Sequence, residues 1–487
     1  MKKIFAILLL FTILLTVIPT AAIAQTTINN ETEEHILNEL KRARIPNAAI
    51  AIVQDDEVSY ILKDSAHDTL FQIGSVAKSF TGFGILLLED MGFLSVEDSV
   101  NQHLSWFEVL YNGDAVPHED ITIANLLHHT SGFTSNERRF PSTISLTKEE
   151  FIAQLIGVEL EFYPSTAHVY GNVNYIVLGF IIEAVSGQSY DEFMTQQVLH
   201  PLGMYNTFTN AQNAYETGRV IGGHRLGFMQ TRAWNPPVAA FTIPTGYIYS
   251  NITDMAHWAN VQLGSTDISA QFERVIQRSH ESGYAFREDS VNPFADKYVF
   301  YAAGWAVDLQ NGSVAHSGST PGYLANVHIL TYEDIAIVVL GNLNGGLGIG
   351  HRLGNLVIDA LEGEPFDRAQ TDMFVFMDIA FIIFVIIGFA QICMLVRIII
   401  KVKKRLDNGE IIKARFGKKN ISWLFDPVLS IMGIIAFYVV PSIWMDTSRE
   451  FIVLFAPSSL TWAGVAIWVM AVYSLFSFWV KIFVSPR

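Results

Sequence analysis

A serine and a lysine three residues apart are the first candidates for chemistry in this sequence. The stretch FQIGSVAKSF (71–80) places Ser75 and Lys78 among mostly apolar neighbours. In a helix, positions i and i+3 lie on one face about one turn apart, so the hydroxyl and the amine would touch. A surface lysine beside a helix-capping serine is the simpler interpretation, because S-x-x-K is a common pattern. A serine nucleophile activated by the lysine is the alternative.

Two later motifs supply the other groups that a nucleophilic serine needs, namely a base, an oxyanion site and a substrate-orienting group. VYGN contains Tyr170 and Asn172, and HSGS contains His316, Gly318 and Ser319. The G-x-S-x-G elbow does not occur in the sequence. S-x-x-K followed by Y-x-N and H-x-G matches the order of the S-x-x-K, S-D-N and K-T-G motifs of β-lactamases and penicillin-binding proteins. Three motifs in this order are far more specific than any one of them.

The stretch LLHHTSGF (126–133) offers a conventional triad as another possibility, with His128, His129 and Ser131. Adjacent histidines followed by T-S-G also fit a structural turn, in which polar side chains satisfy the loop backbone. The structural turn is the stronger interpretation of this stretch.

Around these motifs the chain resembles the serine β-lactamase-related proteins, the superfamily of class C β-lactamases, DD-peptidases and esterases. The resemblance runs from about 45 to 345 and includes FQIGSVAKSFTGFGILLLEDMGFLSVEDSV, ITIANLLHHTSGF, YGNVNYIVLGFIIEAVSGQSYDEF, PLGMYNT, YAAGW and HSGSTPGY. It implies an α/β sandwich-like domain with the serine at a helix start, between an all-helical lobe and the sheet. The chain departs from the family in having Y-G-N for Y-S-N, PST (164–166) for P-G-T and PTGY (244–247) for a P-A-G-G-like stretch. It also has histidine where β-lactamases carry lysine in the third motif, so acyl transfer is expected more firmly than β-lactam hydrolysis.

The expected chemistry centres on Ser75, Lys78 and Tyr170. At a helix start the backbone dipole stabilises negative charge on Ser75 by ~0.3–1 kcal/mol, and Lys78 adds a cation. A phenol ordinarily titrates near ~10. Between Lys78 and a second cation the phenolate of Tyr170 becomes reachable, so this side chain is predicted to act first as base and then as acid. A packed aromatic residue is the alternative for Tyr170.

The remaining site residues are predicted to hold the substrate. Asn172 offers a donor and an acceptor to a substrate amide, with a loop cap as the alternative. Gly318, on what should be an edge strand, lets the substrate approach the backbone. The N–H groups of Ser75 and, by the resemblance, Ser319 form the oxyanion hole. His316 has a reference pKa near ~6.5, which predicts that activity changes across neutrality with its protonation.

Charge and cysteine content restrict the partners and the compartment. Residues 25–372 hold 17 Lys and Arg against 41 Asp and Glu, which argues against nucleic acid as a partner. The first 24 residues show the basic start, apolar run and small-residue end of a secretory signal peptide, with an uncleaved anchor as the alternative. The one cysteine, Cys393, lies far downstream, so residues 25–365 contain no disulfide, thiol nucleophile or zinc-thiolate site. No metal or organic cofactor is implied.

Three apolar segments near the end of the chain, about 374–400, 427–445 and 460–480, predict membrane-spanning helices. Each approaches or exceeds the ~20 residues that a spanning helix needs. The loop between the first two is rich in lysine and arginine, so the positive-inside rule places 401–424 in the cytoplasm and the candidate site outside. Asp378 is interpreted as an outer-end residue of the first span rather than a buried functional carboxylate.

The predicted architecture is α+β: an antiparallel sheet built from both ends of the domain, flanked by helices with an all-helical lobe, followed by an α-helical transmembrane region. Turn signals and β-branched runs predict strands within 48–63 and 312–342, and apolar helices at 75–92 and 174–187. The expected division is a signal peptide (1–24), a serine hydrolase domain (25–365), and a linker with three spans (366–487).

The sequence therefore predicts a membrane-anchored, extracytoplasmic serine hydrolase that forms an acyl-enzyme on a peptide, amide or ester substrate. A cell-wall D-amino-acid peptide is the most natural target for such a location, and the lipid bilayer is the other partner. The alternative is a catalytically inactive penicillin-binding or peptide-sensing membrane module.

Overall fold

The computed structural model describes residues 29–55, 57–134, 146–281, 299–344, 349–362, 373–409, 425–444 and 449–483. The predicted signal peptide and most of the predicted linker lie outside these residues. The described strands are β1 (Ala48–Gln54), β2 (Glu57–Lys63), β3 (Phe71–Gln72), β4 (Val109–Tyr111), β5 (Asp114–Ala115), β6 (Val158–Glu159), β7 (His224–Gly227), β8 (Gln230–Ala233), β9 (Tyr249–Ser250), β10 (Val299–Tyr301), β11 (Ala306–Asp308), β12 (Ser313–Thr320), β13 (Tyr323–Leu330) and β14 (Ile335–Gly341).

The described helices alternate with these strands, and most of them lie between β3 and β10. They are α1 (Asn30–Arg42), α2 (Ala77–Asp90), α3 (Val100–His103), α4 (Ile123–Leu127), α5 (Lys148–Leu155), α6 (Asn172–Ser186), α7 (Tyr190–Phe193), α8 (Ala211–Glu216), α9 (Ile243–Gly246), α10 (Ile252–Leu263), α11 (Ala270–Ser279), α12 (Ile349–Glu362), α13 (Met373–Asp407), α14 (Phe425–Trp444), α15 (Arg449–Phe455) and α16 (Ser459–Phe483). Shorter helical turns lie at Gly74–Val76, His118–Asp120, Met194–Leu199 and Ala240–Thr242.

The main sheet joins strands from both ends of the domain predicted at 25–365. Its seven strands run in the order β10-β11-β12-β13-β14-β1-β2, and each neighbouring pair is antiparallel. In β1, which lies next to the edge strand β2, Ala48 pairs with Gly341 on one side and with Lys63 on the other. The α+β arrangement predicted from the sequence is confirmed.

Helices cover both faces of this sheet. Side chains alternate along β1, so Ala49, Ala51 and Val53 enter the core shared with α2 and α10. Ile50 and Ile52 enter a second core, against α1 and α12. Each of the valine and isoleucine side chains contributes ~1.5–3 kcal/mol when it is fully buried. Stability therefore comes from a two-sided core rather than from disulfides.

The helical lobe is organised around α6, which packs against α2, α4 and α9. Gly187 ends α6 with a left-handed φ of 69°, where the sequence predicted the end. Gly179 lies so close to Pro244 that an added Cβ would meet its ring at 2.5 Å. This close approach packs α9 against α6, and α9 also packs against α2, which carries Lys78.

The strand β12, predicted to be an edge strand, is only partly one. β11 pairs with Ser313, Val314 and Ala315 and extends no further along β12. The second half, from His316 to Thr320, contacts the turn at Gly74–Val76 instead. The part of the β12 edge that carries the third motif is therefore covered by the Gly74–Val76 turn, which immediately precedes α2.

Two described helices are long and apolar enough to cross a membrane, Val375–Asp407 and Ser459–Val480. The middle predicted segment is helical as α14, but its apolar stretch, Ser430–Val439, is shorter. By length and composition, the described residues thus contain two candidate spans where the sequence predicted three.

Asp378 lies in the second turn of α13 and is fully buried, although most of this helix is exposed. Its carboxylate accepts the backbone N–H groups of Phe228 and Met229, at 3.0 and 2.6 Å, and the hydroxyl of Ser459. Both turn residues have positive φ, a conformation that costs energy for residues other than glycine. Asp378 thus lies near the beginning of α13, but the expectation that its carboxylate is not buried is wrong, because it joins the β7–β8 hairpin to α16.

Candidate active site

Two glycines place Ser75 against the edge of β12. Gly74 has a φ of 55°, and an added Cβ would meet the backbone nitrogen of Ser319 at 2.4 Å. A Cβ on Gly318 would meet the carbonyl oxygen of Ile73 at 2.0 Å. The turn and the strand can therefore touch only because both residues lack side chains. The sequence explained Gly318 by the approach of a substrate, whereas in the structure it allows the strand to approach the serine.

Lys78 is fully buried and directed at Ser75. Its Nζ lies 3.2 Å from Ser75 Oγ, 2.7 Å from Asn172 Oδ1 and 2.8 Å from the carbonyl oxygen of Thr245. A buried amine requires hydrogen-bond partners, and these three are arranged around it. The contact between the first and second motifs is thus made through Lys78.

This arrangement accommodates both protonation states of Lys78. The Thr245 carbonyl and the Asn172 carboxamide oxygen can only accept, so each takes one N–H of Lys78. An ammonium has a third N–H to donate to Ser75 Oγ. A neutral amine would instead offer its lone pair to the serine hydroxyl. The lysine can therefore either stabilise the serine oxygen as an anion or receive its proton.

Tyr170 lies beside this lysine, whose Nζ is 4.9 Å from the centroid of the phenol ring. The side chain is 38% exposed, so it is accessible from the solvent side of the site. Its ring also lies 6.2 Å from the ring of His316 and 5.8 Å from that of Tyr301. Tyr170 is thus an accessible phenol next to a buried cation, which suits a group that exchanges protons.

His129 holds Tyr170 in place, a role that sequence reasoning missed. The ring centroids of the two residues are 4.4 Å apart. Asn174 Nδ2 lies 2.8 Å from His129 Nδ1, so the amide donates to this nitrogen and fixes the tautomer. Burial, followed by nearby charges including Lys78, places the pKa of His129 well below its usual value. The only signal in the sequence was its neighbourhood in HHTSG.

The conventional triad from that stretch is not formed. Ser131 donates its hydroxyl to Asn174 Oδ1 at 2.6 Å. His128 Nδ1 lies 2.8 Å from the carbonyl oxygen of Tyr301 and donates to it. The structural interpretation of these residues is the one that the contacts support.

Asn172 begins α6 and contacts Lys78 rather than capping a loop. Gly171 is the N-cap residue of this helix, in an extended conformation. Because Lys78 takes Asn172 Oδ1, the orientation of the carboxamide is determined by the catalytic candidate itself. The loop-cap alternative is wrong for Asn172.

His316 is closed in by protein groups on both sides of its ring. Its Nδ1 lies 2.8 Å from the carbonyl oxygen of Ser317, and its Nε2 lies 3.0 Å from the hydroxyl of Tyr301. Burial, with the charge of Lys78 as a second cause, lowers the pKa of His316 to about 3. His316 is therefore neutral at physiological pH. The prediction that its protonation changes across neutrality is wrong, because burial cannot be read from the motif.

The hydroxyl of Ser319 is buried and has no hydrogen-bond partner in the described part of the chain, while its backbone contacts Gly74. Beyond Ser319 the strand leads to a small cleft whose walls are mostly aromatic and proline side chains. They include Gln72, Tyr247, Tyr249, Pro321 and Tyr323. A polar atom without a partner beside such a cleft suits a surface that receives a substrate.

Comparison with known proteins assigns the class. The sequence profile of the Beta-lactamase family matches residues 32–362, and the chain belongs to this family. It is similar to Protein flp of Staphylococcus aureus (strain MW2), with 30% identity over an alignment of 322 positions that covers 63% of this chain and 62% of that protein. It is also similar to Penicillin-binding protein 4* of Bacillus subtilis (strain 168), with 26% identity over 62% of this chain and 66% of that protein. This chain thus matches less than two thirds of the length of these relatives.

A solved structure supports the fold independently. The octameric penicillin-binding protein homologue from Pyrococcus abyssi superposes with a TM-score of 0.57 over 69% of this chain and 78% of that chain, at 24% identity. The resemblance drawn from the three motifs is confirmed at the level of a β-lactamase and penicillin-binding-protein-like serine hydrolase family.

Proposed function

We propose that this protein is a membrane-anchored serine hydrolase that acts through an acyl-enzyme on a peptide, amide or ester substrate. Ser75 attacks the carbonyl carbon, and Lys78 and Tyr170 carry the proton from the serine to the leaving group. Asn172 and Ser319 bind the substrate, Gly318 lets β12 approach Ser75, and the backbone N–H groups of Ser75 and Ser319 form the oxyanion hole. A cell-wall D-amino-acid peptide remains the most natural target for such an enzyme.

The observation that carries this proposal is the placement of the Lys78 amine. A fully buried lysine is rare unless its nitrogen is paired. Here Asn172 Oδ1 and the Thr245 carbonyl oxygen are acceptors that can only hold the amine, and Ser75 Oγ lies 3.2 Å from it. A helix that needed Lys78 only for solubility would leave the amine at the surface. The contact instead favours activation of the serine.

The experiment is covalent labelling of Ser75 with a fluorescent fluorophosphonate, followed by intact mass spectrometry with peptide, ester and penicillin substrates. We expect labelling of the wild type, none of Ser75→Ala, and release of the acyl group from at least one substrate. A stable acyl-enzyme on every substrate would favour the penicillin-binding or sensing module instead. If the wild-type protein is folded, as a cooperative melting transition shows, and yet is not labelled at all, the proposal is refuted.

We further propose that the domain lies outside the cell and that the chain crosses the membrane three times, after an amino-terminal signal peptide. Two long apolar helices and the lysine- and arginine-rich stretch after the first of them support this topology. A single cysteine placed in 410–424, in a Cys393→Ser background, should react with a membrane-impermeant maleimide only after lysis. Reaction in intact cells would place this stretch outside and refute the topology.

A further inference from the structure

The hairpin of β7 and β8 has a turn that its own sequence does not favour. Two residues, Phe228 and Met229, connect the strands, and their φ angles are 55° and 58°. Positive φ at both central residues is a conformation that asparagine and glycine adopt readily, whereas bulky side chains adopt it only with strain. Asp378 of α13 accepts the backbone N–H groups of both residues, at 3.0 and 2.6 Å. The shape of the hairpin tip is therefore supported by a carboxylate from outside the hairpin.

Further contacts dock β7 on the helices at the end of the chain. Ser458, which directly precedes α16, donates its N–H to the carbonyl oxygen of Leu226 at 2.8 Å. Gly227 lies so close to Ser458 that an added Cβ would overlap its hydroxyl and lie 3.0 Å from its Cβ. Asn344 donates its N–H to the carbonyl oxygen of His224 and its side-chain amide to that of the last residue of α15. Both the tip and the first strand of the hairpin are thus held by these helices.

The other end of the hairpin carries one wall of the cleft that aromatic and proline side chains form beyond Ser319. Trp234, directly after β8, donates its N–H to the carbonyl oxygen of Gly223 at 2.7 Å. The N–H of Gly223 in turn donates to Asn235 Oδ1, also at 2.7 Å. Asn235 and residues 236–238 line the cleft. A displacement of the hairpin would therefore move this wall.

The cleft lies on the acyl side of the proposed reaction. The leaving group departs beside the acid that protonates it, and the proposed acid is Tyr170. The ring of Tyr170 lies 6.2 Å from that of His316, so the leaving group departs near the middle of β12. The cleft lies past the end of this strand, where Pro321 lines it. A substrate whose carbonyl lies between the N–H groups of Ser75 and Ser319 would thus extend its acyl group into the cleft.

We infer that Asp378 is a positioning residue for substrate binding, because it holds the β7–β8 hairpin and the hairpin carries a wall of the cleft that receives the acyl group. The inference rests on the proposed hydrolase function and narrows it to acyl donors with an apolar or aromatic group that fills this cleft. Asp378 acts through the hairpin rather than on the reacting atoms. Since it lies in α13, one of the two candidate spans, the helices that are proposed to anchor the enzyme also take part in substrate binding.

The test compares two esters with the same leaving group, phenyl acetate and phenyl hydrocinnamate, on the full-length protein in lipid nanodiscs. Each kcat/KM is divided by the rate constant of hydroxide hydrolysis of the same ester, so that intrinsic reactivity cancels. The ratio of the two normalised values measures the acyl preference, and a loss of folded protein alone does not change it. We expect the wild type to prefer the hydrocinnamate. A wild type without this preference would overturn the inference.

Two variants change the hairpin contact from its two sides. Asp378→Asn replaces one accepting oxygen by an N–H donor, so one of the two backbone N–H groups loses its acceptor. Gly227→Ala forces the hairpin away from Ser458. In each variant we expect the preference for the hydrocinnamate to fall by roughly threefold or more, as mutations between coupled sites produce, while the rate on the acetate per labelled site is retained. A folded variant of either kind that keeps the wild-type preference would overturn the inference.

Ser459→Ala is the matched control, because it removes the hydroxyl that donates to Asp378 and leaves both bonds to the hairpin. We expect it to keep the wild-type preference. An equal loss in this variant would attribute the effect to the packing of α16 and overturn the role given to the hairpin. Fluorophosphonate labelling of Ser75 separates the two levels. Labelled protein in which Asp378→Asn keeps the wild-type preference contradicts the inference alone, whereas folded but unlabelled wild type contradicts the proposed function and the inference with it.

Discussion

Replacing Gly318 by alanine should disrupt catalysis without disrupting the fold. The added Cβ would lie 2.0 Å from the carbonyl oxygen of Ile73, whereas Cβ contacts essentially never fall below 3.0 Å. The strand and the Gly74 turn must therefore separate by about 1 Å, which carries the N–H of Ser319 away from that of Ser75. An oxyanion donor works at ~2.7–3.1 Å, so this displacement removes one donor and should lower kcat by ~10²–10³.

The assay is steady-state hydrolysis of an aryl ester, with kcat and KM measured separately and the melting temperature measured in parallel. Overpacking of this kind costs ~1–3 kcal/mol of stability, so some decrease in melting temperature is expected. Gly222→Ala is the matched control, because its Cβ would meet only the side chain of Asn235, at 3.4 Å. A kcat for Gly318→Ala within threefold of the wild type would refute the idea that this contact sets the oxyanion hole.

Further predictions concern charge, pH and the membrane junction. Lys78→Met should abolish both fluorophosphonate labelling and hydrolysis; labelling at the wild-type rate would remove Lys78 from the mechanism. Because the pKa of His316 is about 3, the pH profiles of kcat/KM for the wild type and His316→Gln should run parallel from pH 5 to 8; an inflection near pH 6.5 that only the wild type shows would contradict this. Burial lowers the pKa of His280 from 6.5 to about 4. Between these two pH values the unfolded chain binds a proton at this residue that the folded chain does not bind, so the free energy of unfolding decreases as the pH falls from 6.5 toward 4. His280→Gln should lose less melting temperature between pH 7 and 5 than the wild type, as calorimetry can check. Asp378→Ala should broaden the distance distribution between spin labels on the β7–β8 hairpin and α16; an unchanged distribution would show that Asp378 is not needed for the junction.

The sequence predicted those features that depend only on neighbouring residues, namely a turn, a helix end and a contact within one helical turn. The turn at Asp55 separates two β-branched runs, and β1 and β2 form there. Gly187 ended α6 because a left-handed cap favours glycine. The spacing of Ser75 and Lys78 also predicted their contact correctly, since it depends on a single helical turn. The short strands β3 to β9 gave no comparable signal, because two to four residues are too few for a periodicity.

The parts of the site that depend on tertiary approach were not predictable in the same way. Thr245 binds Lys78 through a backbone carbonyl, and a backbone group has no signature in the sequence. His129 reaches Tyr170 from a distant loop, and the motif gave no hint that the two rings would meet. His316 was expected to titrate near neutrality because its burial depends on Tyr301 and the sheet around it. In each case the missing information was what surrounds the residue.

The neutrality of His316 also constrains how the proton moves. The sequence analysis expected two cations, Lys78 and a second one, to stabilise the phenolate of Tyr170. In the structure His316 is neutral, so Lys78 is the cation beside the phenol. One positive charge can balance one anion, so Ser75 and Tyr170 are not expected to be ionised together. Transfer of the proton from Ser75 to a Tyr170 phenolate keeps the charge next to Lys78 constant, and transfer to a neutral Lys78 creates the ion pair in the same place. The first route creates no new charge in the buried site, and the second creates two opposite charges that stay in contact, so neither leaves an unpaired charge, which would be costly there. A second cation at position 316 would remove this constraint, so His316→Lys should move the pH profile of kcat/KM to lower pH.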